Sequence, residues 1–288
     1  MLNRSGEAAL AAVLSAHQLT ASITDDVTYC GQWQEREPAT ARATFHLLAS
    51  GQCRVESGAL ADAVTLGAGD LVIFSRGAAH ALCSVSSPTG GWQDTTMLCG
   101  ELDFVTGTRN PVLEALPECF VVRGDDSEPQ FAELARLLCR ESHRRDFGSR
   151  VVLDKLADAL FVMAVRHYLN RNQDQRGLLA ALLDAKLAQA LDAMHSRPGQ
   201  DWTVLDLARV ACMSRTAFAL RFSEVLGASP HQYLTSLRMT EALRLLKDPR
   251  LSMAAISERL GYQSEAAFRR SFKRVHGQGP GAVRRAHA

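Results

Sequence analysis

One spacing, used twice, restricts this chain more than any other feature. Ser214, Phe218, Phe222, Gly227 and Pro230 recur fifty residues later as Ser264, Phe268, Phe272, Gly277 and Pro280, with all five intervals kept. A pattern copied in this way describes one supersecondary unit deployed twice. Ahead of each Ser lies a short amphipathic stretch. The first is Val204–Val210 with Leu207 and Ala208; the second covers residues 253–260 with Ile256 and Leu260. Between stretch and Ser sits a tight turn, Ala211-Cys212-Met213 or Gly261-Tyr262-Gln263. A Ser hydroxyl can accept from the orphan N–H groups of a helix's first turn, so each Ser suits an N-cap. Phe residues at i and i+4 share one helix face, and Gly followed by Pro suits a left-handed stop. Two helix–turn–helix units follow. A helical bundle with duplicated packing is the competing reading. The Gly-containing turn and the small or polar residues opening both second helices favour DNA reading.

Residues 230–247, which join the units, are helical by pattern (Tyr233, Leu234, Leu237, Ala242, Leu245, Leu246). At 1.5 Å per residue such a rod is about 27 Å long. It can hold two recognition helices in successive major grooves, which recur about every 34 Å. Charge follows the same division. Residues 179–288 carry 16 Lys and Arg against 9 Asp and Glu, whereas residues 1–178 carry 16 against 22. A basic third beside an acidic remainder fits a nucleic-acid module joined to something else.

That remainder changes texture along its length. Residues 1 to about 20 read as a short peripheral helix. From about 22 to 122, short apolar or alternating runs (44–48, Leu71–Phe74, 97–104) alternate with Gly, Ser, Pro and Asp, as in a sandwich or barrel. Helical periodicity then predicts helices over 127–145 and 149–170, and the apolar-free run 170–177 predicts a linker. The class is α+β. The predicted division is a strand-rich domain at 1–122, a helical dimerisation or packing segment at 123–170, a linker at 171–184 and an all-α reader at 185–288. No run is long enough and apolar enough to span a membrane, and the N-terminus lacks a signal-peptide layout, so a cytoplasmic protein is expected. The seven cysteines form no CxxC or Cys/His cluster, which argues against a disulfide framework or a zinc finger.

The runs GYQSEAAFRRSFKRVHGQGP from Gly261 and MSRTAFALRFSEVLGASPHQYLTSLRMTEALRLL from Met213 resemble the AraC/XylS family of transcription regulators. The likeness covers about 185–286 closely and the rest more thinly. It implies a DNA-reading module that binds one face of the duplex, with promoter DNA, RNA polymerase and a second copy of the chain as partners. By position, the first recognition helix would present Arg215, Thr216, Ala219 and Leu220, and the second Glu265, Ala266, Ala267, Arg269 and Arg270. Arg270 suits bidentate contact with guanine, and Glu265 could accept from a cytosine amine. Arg215, Arg269, Lys273 and Arg274 suit phosphates. Arg221 and Arg238 either join them or pair with nearby carboxylates.

The resemblance also implies a cupin-type sensor barrel in the acidic half, with Gly69-Asp70 before a strand and His80 after it. Cupin enzymes hold a metal with an HxH pair, a Glu and a further His. Here His46 and His80 stand near suitable strands without an HxH, so each reads first as a hydrogen-bonded barrel histidine, with a weak metal, anion or effector site between them as the alternative; no cofactor and no catalysis are expected. The first domain looks closest to the family branch of activators that respond to reactive chlorine species, where a cysteine followed by Gly matches Cys99. Its counterpart there would fall near Trp33, and Cys30 is the thiol available, in a different register. The expected regulator is thus an activator switched by oxidation of Cys99 with Cys30. A small effector in the barrel is the alternative, and a cupin metalloenzyme tethered to DNA is a third.

Overall fold

The computed structural model describes residues 4–17, 19–86, 90–104, 110–144, 146–172 and 177–286. It is an α+β chain that divides into two compact units. One comprises Leu19–Asp103 and Leu116–Gln173; the other gathers Met1–Gln18, Phe104–Ala115 and Asp174–Ala288.

The first unit is a two-sheet barrel. Strands β1 (Leu19–Tyr29), β8 (Thr95–Phe104), β3 (Ala43–Ser50), β6 (Leu71–Phe74) and β9 (Cys119–Val122) form one sheet in that order. Strands β2 (Gln34–Glu37), β7 (His80–Ser84), β4 (Gln52–Ser57) and β5 (Val64–Gly67) form the other. The alternation of β3 decides its packing. Leu48 faces the barrel interior with Cys53, Val55, Leu66, Val72, Phe74, Leu82 and Met97, all at 1% exposure or less. Phe45 and Leu47, of opposite parity, are equally buried. Helices α3 (Pro129–Ser142) and α4 (Ser149–Arg171) pack on each other, with α3 against β3 and α4 against β1 and β9. Both faces of β3 are therefore covered, which explains an apolar run where simple alternation would leave one face wet. Asp70 ties the turn before β6 together. It accepts from Gly67 N–H at 2.9 Å and Gly124 N–H at 2.8 Å, and from the Arg123 guanidinium at 2.7 Å.

Among the described residues, the second unit is built from helices, apart from Phe104 at the end of β8. It contains α1 (Arg4–His17), α2 (Pro111–Ala115), α5 (Gly177–Leu183), α6 (Ala185–Ser196), α7 (Val204–Val210), α8 (Arg215–Leu226), α9 (Pro230–Leu246), α10 (Met253–Arg259), α11 (Glu265–His276) and α12 (Pro280–Ala286). Two features depart from the contiguous division read from sequence. Helix α1 packs on α5, α6 and α9 and buries Ala9, Leu10 and Val13, so it belongs with the reader and not with the strands that follow it. Residues 177–183, read as linker, form α5, with Leu178, Leu179, Ala181 and Leu182 buried. Of that linker, residues 173–176 lie outside the described residues.

Candidate functional site

The repeat folds as two readers with matching local chemistry. In the first, Thr203 and Asp206 make a capping box on α7, and the Ser214 hydroxyl accepts from Ala217 N–H at the start of α8. Gly227 closes α8 in the left-handed region (φ 68°), its N–H donating to Ser223 O. Ser229 and Gln232 then box the start of α9, with Pro230 in its first turn. In the second, Ser252 caps α10, Ser264 caps α11 through Ala267 N–H, and Gly277 (φ 74°) closes α11 by donating to Lys273 O. Phe218 and Phe222 are fully buried, as are Phe268 and Phe272, with ring centroids 5.4 and 5.8 Å apart. Each pair locks a second helix onto its first.

The duplication is looser ahead of each Ser. Met213 N–H donates to Ala208 O, and Tyr262 N–H donates to Ser257 O, so Cys212 is equivalent to Gly261 at an offset of 49. The second turn is one residue longer. Both residues are left-handed, Gly261 at φ 72° and Cys212 at φ 50°, and Cys212 is the one non-glycine residue with positive φ among those described.

On α8, Arg215, Thr216 and Leu220 are exposed, Leu220 at 60%, and Ala219 is half-buried. On α11, Ala266, Arg269, Arg270, Lys273 and Arg274 are exposed, with Glu265 and Ala267 half-buried. The two leading edges are thus open to solvent. Glu265 holds Arg269, with Oε1 2.7 Å from Nε and 2.6 Å from Nη2. Arg215, Arg270, Lys273 and Arg274 enter no ion pair among the described residues. The two ambiguous arginines both have partners within their own unit. Arg221 grips Asp184 at 2.6 Å. Arg238 donates to the carbonyls of Pro198 and Gln200, both at 2.8 Å, and lies over the Tyr262 ring, so its direct partners among the described residues are backbone oxygens and an aromatic face, with no carboxylate in ion-pair contact.

The barrel gathers a second group of chemically able side chains. His46 on β3 stands opposite Cys99 on β8, and its Nδ1 is 3.1 Å from the Cys99 sulfur. His80 on β7 stands opposite Glu37 on β2. The two imidazoles meet with Nε2 atoms 2.8 Å apart, and the Glu37 carboxylate oxygens lie 3.7 Å from His46 Nε2 and 3.5 Å from His80 Nε2. His80 Nδ1 lies 2.8 Å from Ala78 O and must donate to it. Donors can then run in one direction, from Cys99 S–H to His46 Nδ1, from His46 Nε2–H to His80 Nε2, and from His80 Nδ1–H to Ala78 O. Burial, reinforced by the neighbouring His80, pushes His46 down to about 3, so it stays neutral at physiological pH. Burial also raises Glu37, against the opposing pull of His80. The Cys99 thiol is pushed up to about 12 by burial and then by Glu37 and Asp25.

Glu37 is the member that sequence reasoning missed. Its strand, Gln-Glu-Arg-Glu, is polar throughout, so periodicity gives no sign that it pairs with β7. Cys30 does not join the cluster. Thr28 and Thr96 touch across β1 and β8 at 3.0 Å, and Cys30 lies beside Asp94, whose carboxylate raises its thiol pKa. Asp94 is five residues from Cys99 in sequence, roughly 16 Å along a strand. Disulfide geometry brings Cα atoms to about 6 Å, so these strands would have to part before the two thiols could bond. Gly100 offers no backbone opening beside Cys99 either, because the Phe45 ring fills the space a side chain would take.

A cupin family model matches residues 8–170, and a helix-turn-helix domain model matches residues 207–286. An AraC-like transcription regulator of Streptomyces lividans is 28% identical over 95% of this chain and 96% of its own length. The chain belongs to the AraC/XylS family of transcription regulators. Its helix–turn–helix domain binds DNA. The regulator is also similar to the RCS-specific HTH-type transcriptional activator RclR of Escherichia coli (strain K12), at 29% identity over 83% of each chain. The crystal structure of the DNA-binding domain of AdpA in complex with a target DNA is 33% identical, spanning 35% of this chain and 90% of that one, with a TM-score of 0.34. No helix of the described residues is long and apolar enough to cross a membrane.

Proposed function

We propose that the regulator is a homodimeric activator, switched by two-electron oxidation of Cys99, that reads promoter DNA through α8 and α11 and engages RNA polymerase there. The observation that carries the switch is the contact between Cys99 and His46 inside a filled barrel. Leu48, Val55, Leu66, Phe74, Leu82 and Met97 occupy the interior, so a signal received there must be small. This favours an oxidant over a bulky effector, the second reading, and speaks against a substrate-sized enzyme pocket. A thiol held near 12 stays protonated at neutral pH and responds slowly to mild oxidants, which selects for strongly electrophilic ones. With hypochlorite, the sulfur loses two electrons and becomes a sulfenic acid, and chlorine leaves as chloride. The added oxygen has no room in the 3.1 Å gap to His46, so oxidation pushes apart β3 and β8. The name of RclR as an RCS-specific activator supports both the signal and the sign of regulation.

Self-association has support on α3 and α4. Leu137, Val151, Val152 and Val162 are exposed there, while the opposite faces of these helices are buried in the barrel unit. For DNA, Arg270 reads a base, Glu265 is an acceptor only when it releases Arg269, and Arg215, Lys273 and Arg274 hold phosphates. Footprinting of promoter fragments with the full-length protein, with and without hypochlorite, tests the reading. Wild type should change its protection on oxidation and Cys99→Ser should not. A Cys99→Ser protein that switches like wild type overturns the redox reading.

A further inference from the structure

We propose that Glu37, His46 and His80 form a three-ligand site for a divalent transition ion of the zinc class. The three groups offer His46 Nε2, His80 Nε2 and a Glu37 carboxylate oxygen within 4.8 Å of one another. The two Nε2 atoms are 2.8 Å apart; Glu37 Oε1 lies 3.7 Å from His46 Nε2, and Oε2 lies 3.5 Å from His80 Nε2. Ligands at 2.0–2.1 Å around a tetrahedral ion stand about 3.3 Å apart, so a shift of about half an ångström in the imidazoles and the carboxylate would seat one. The site needs little rearrangement.

Ligand chemistry selects the ion. Two imidazoles with one carboxylate suit zinc and its first-row neighbours, whereas calcium and magnesium require oxygen donors throughout. The carboxylate also argues against an anion. Asp25, Glu35 and Glu101 lie close enough to act on Glu37, adding negative potential, and Arg42 is already paired with Glu101 at 2.7 Å. Outer contacts fix both rings. His80 Nδ1 donates to Ala78 O, which leaves its Nε2 lone pair directed at the cluster; to ligate through Nε2, His46 carries its proton on Nδ1 and donates it to the Cys99 sulfur, the reverse of the metal-free arrangement. Metal-bound histidines are commonly held through their second nitrogen in this way. His46 and His80 are 1% and 6% exposed, while the Glu37 side chain is 32% exposed and gives the ion a route from solvent and an open fourth position.

The ligands come from both sheets, His46 from the five-stranded one and the other two from the four-stranded one. A bound ion would therefore clasp the barrel across its interior and raise the barrel's stability in proportion to metal concentration. This inference does not depend on the fate of Cys99. Chelator-treated, reduced full-length protein, titrated with Zn2+ in equilibrium dialysis and in thermal melts, should bind about one ion per chain at this site and melt at a higher temperature. Glu37→Gln, which keeps shape and hydrogen-bonding reach, should weaken binding at least about tenfold while the metal-free melt stays near that of wild type. His80→Asn should abolish the Zn2+-dependent rise; exchanging exposed His143 for Ala should leave it in place. Zinc binding that Glu37→Gln leaves unchanged, or a melt that responds to Ca2+ or Mg2+ but not to Zn2+, overturns the site. No oxidant or DNA is used, so such a failure leaves the regulatory reading standing.

Discussion

Arg221, on the first recognition helix, holds Asp184, the residue that caps α6. Both Nε and Nη2 of Arg221 lie 2.6 Å from Asp184 Oδ2, while Oδ1 accepts from Lys186 N–H at 2.9 Å and Leu187 N–H at 3.2 Å. One carboxylate thus fixes α8 and the start of α6 together. Arg221→Ala should lower stability by about 1–2 kcal/mol, since the cap survives but its charge-assisted bonds do not. Burial would raise the Asp184 pKa, but Arg221 and the two N–H groups outweigh it, and the folded-state value falls below the usual one. A depressed carboxyl contributes stability that is complete above its unfolded pKa of about 4 and is lost as pH falls through the folded value. Denaturant melts across the acid range should therefore show a shallower loss for Arg221→Ala than for wild type. An unchanged melting temperature would return Arg221 to the phosphate-binding set.

The Glu265–Arg269 pair makes a prediction of opposite sign on DNA. Glu265 neutralises a guanidinium at the edge of the second reader. Releasing it by Glu265→Gln should tighten binding to random duplex and steepen the salt dependence by about one unit, as one more phosphate contact would. Arg270→Ala should instead lose about 1–3 kcal/mol of discrimination at one base pair, and Lys273→Ala should weaken all sequences alike. Salt-titrated binding to cognate and random duplexes separates the three. Equal losses on both duplexes for Arg270→Ala would remove it from base reading.

How far these features could be read from the chain depends on how local their causes are. The readers were legible because caps, Phe pairs and stop glycines act within one or two turns of Ser214 and Ser264. The barrel was legible as a class, and His46, His80 and Cys99 could be marked as chemically able, but their meeting is set by cross-strand register. Glu37 opposite His80 and His46 opposite Cys99 are pairings between distant segments. Nothing in the spacing of these residues encodes them. The same holds for α1, whose apolar stripe was visible while its partner helix, far along the chain, was not.

That partner makes a test of its own. Leu10 and Val13 are 6% and 0% exposed in the reader unit. Leu10→Ala should destabilise that unit by about 2–4 kcal/mol through lost burial and an unfilled cavity. Limited proteolysis should show the cost as faster cleavage within α5–α9, with barrel fragments unaffected. Faster cleavage confined to the barrel would mean that α1 supports the strands.

Thiol chemistry should rank by burial. Cys30 and Cys212 are exposed, whereas Cys53, Cys99 and Cys119 are pushed up to about 12, chiefly by burial. Timed alkylation of the native protein near neutral pH, read by mass spectrometry, should label Cys30 and Cys212 first and Cys99 far later. Raising the pH should speed Cys99 across the whole accessible alkaline range, because its thiolate remains scarce until the pH nears its folded pKa. Labelling of Cys99 as fast as Cys212 would show that the Cys99 thiol is neither enclosed nor held protonated.

The two turns of the readers should respond unequally to side-chain exchange. Gly261 is left-handed, and a Cβ there would run into the Gly199 carbonyl oxygen. Gly261→Ala therefore carries both backbone strain and a clash and should cost about 2 kcal/mol or more. Cys212 occupies the equivalent place with a side chain already present. Cys212→Gly removes the left-handed strain but gives the unfolded chain more freedom, and each effect is about 1 kcal/mol. The net change should stay within about 1 kcal/mol of zero, in either direction. Urea midpoints of the two variants decide the point. If Cys212→Gly falls as far as Gly261→Ala, the Cys212 side chain contributes packing that its exposed position does not reveal, and the equivalence of the two turns fails.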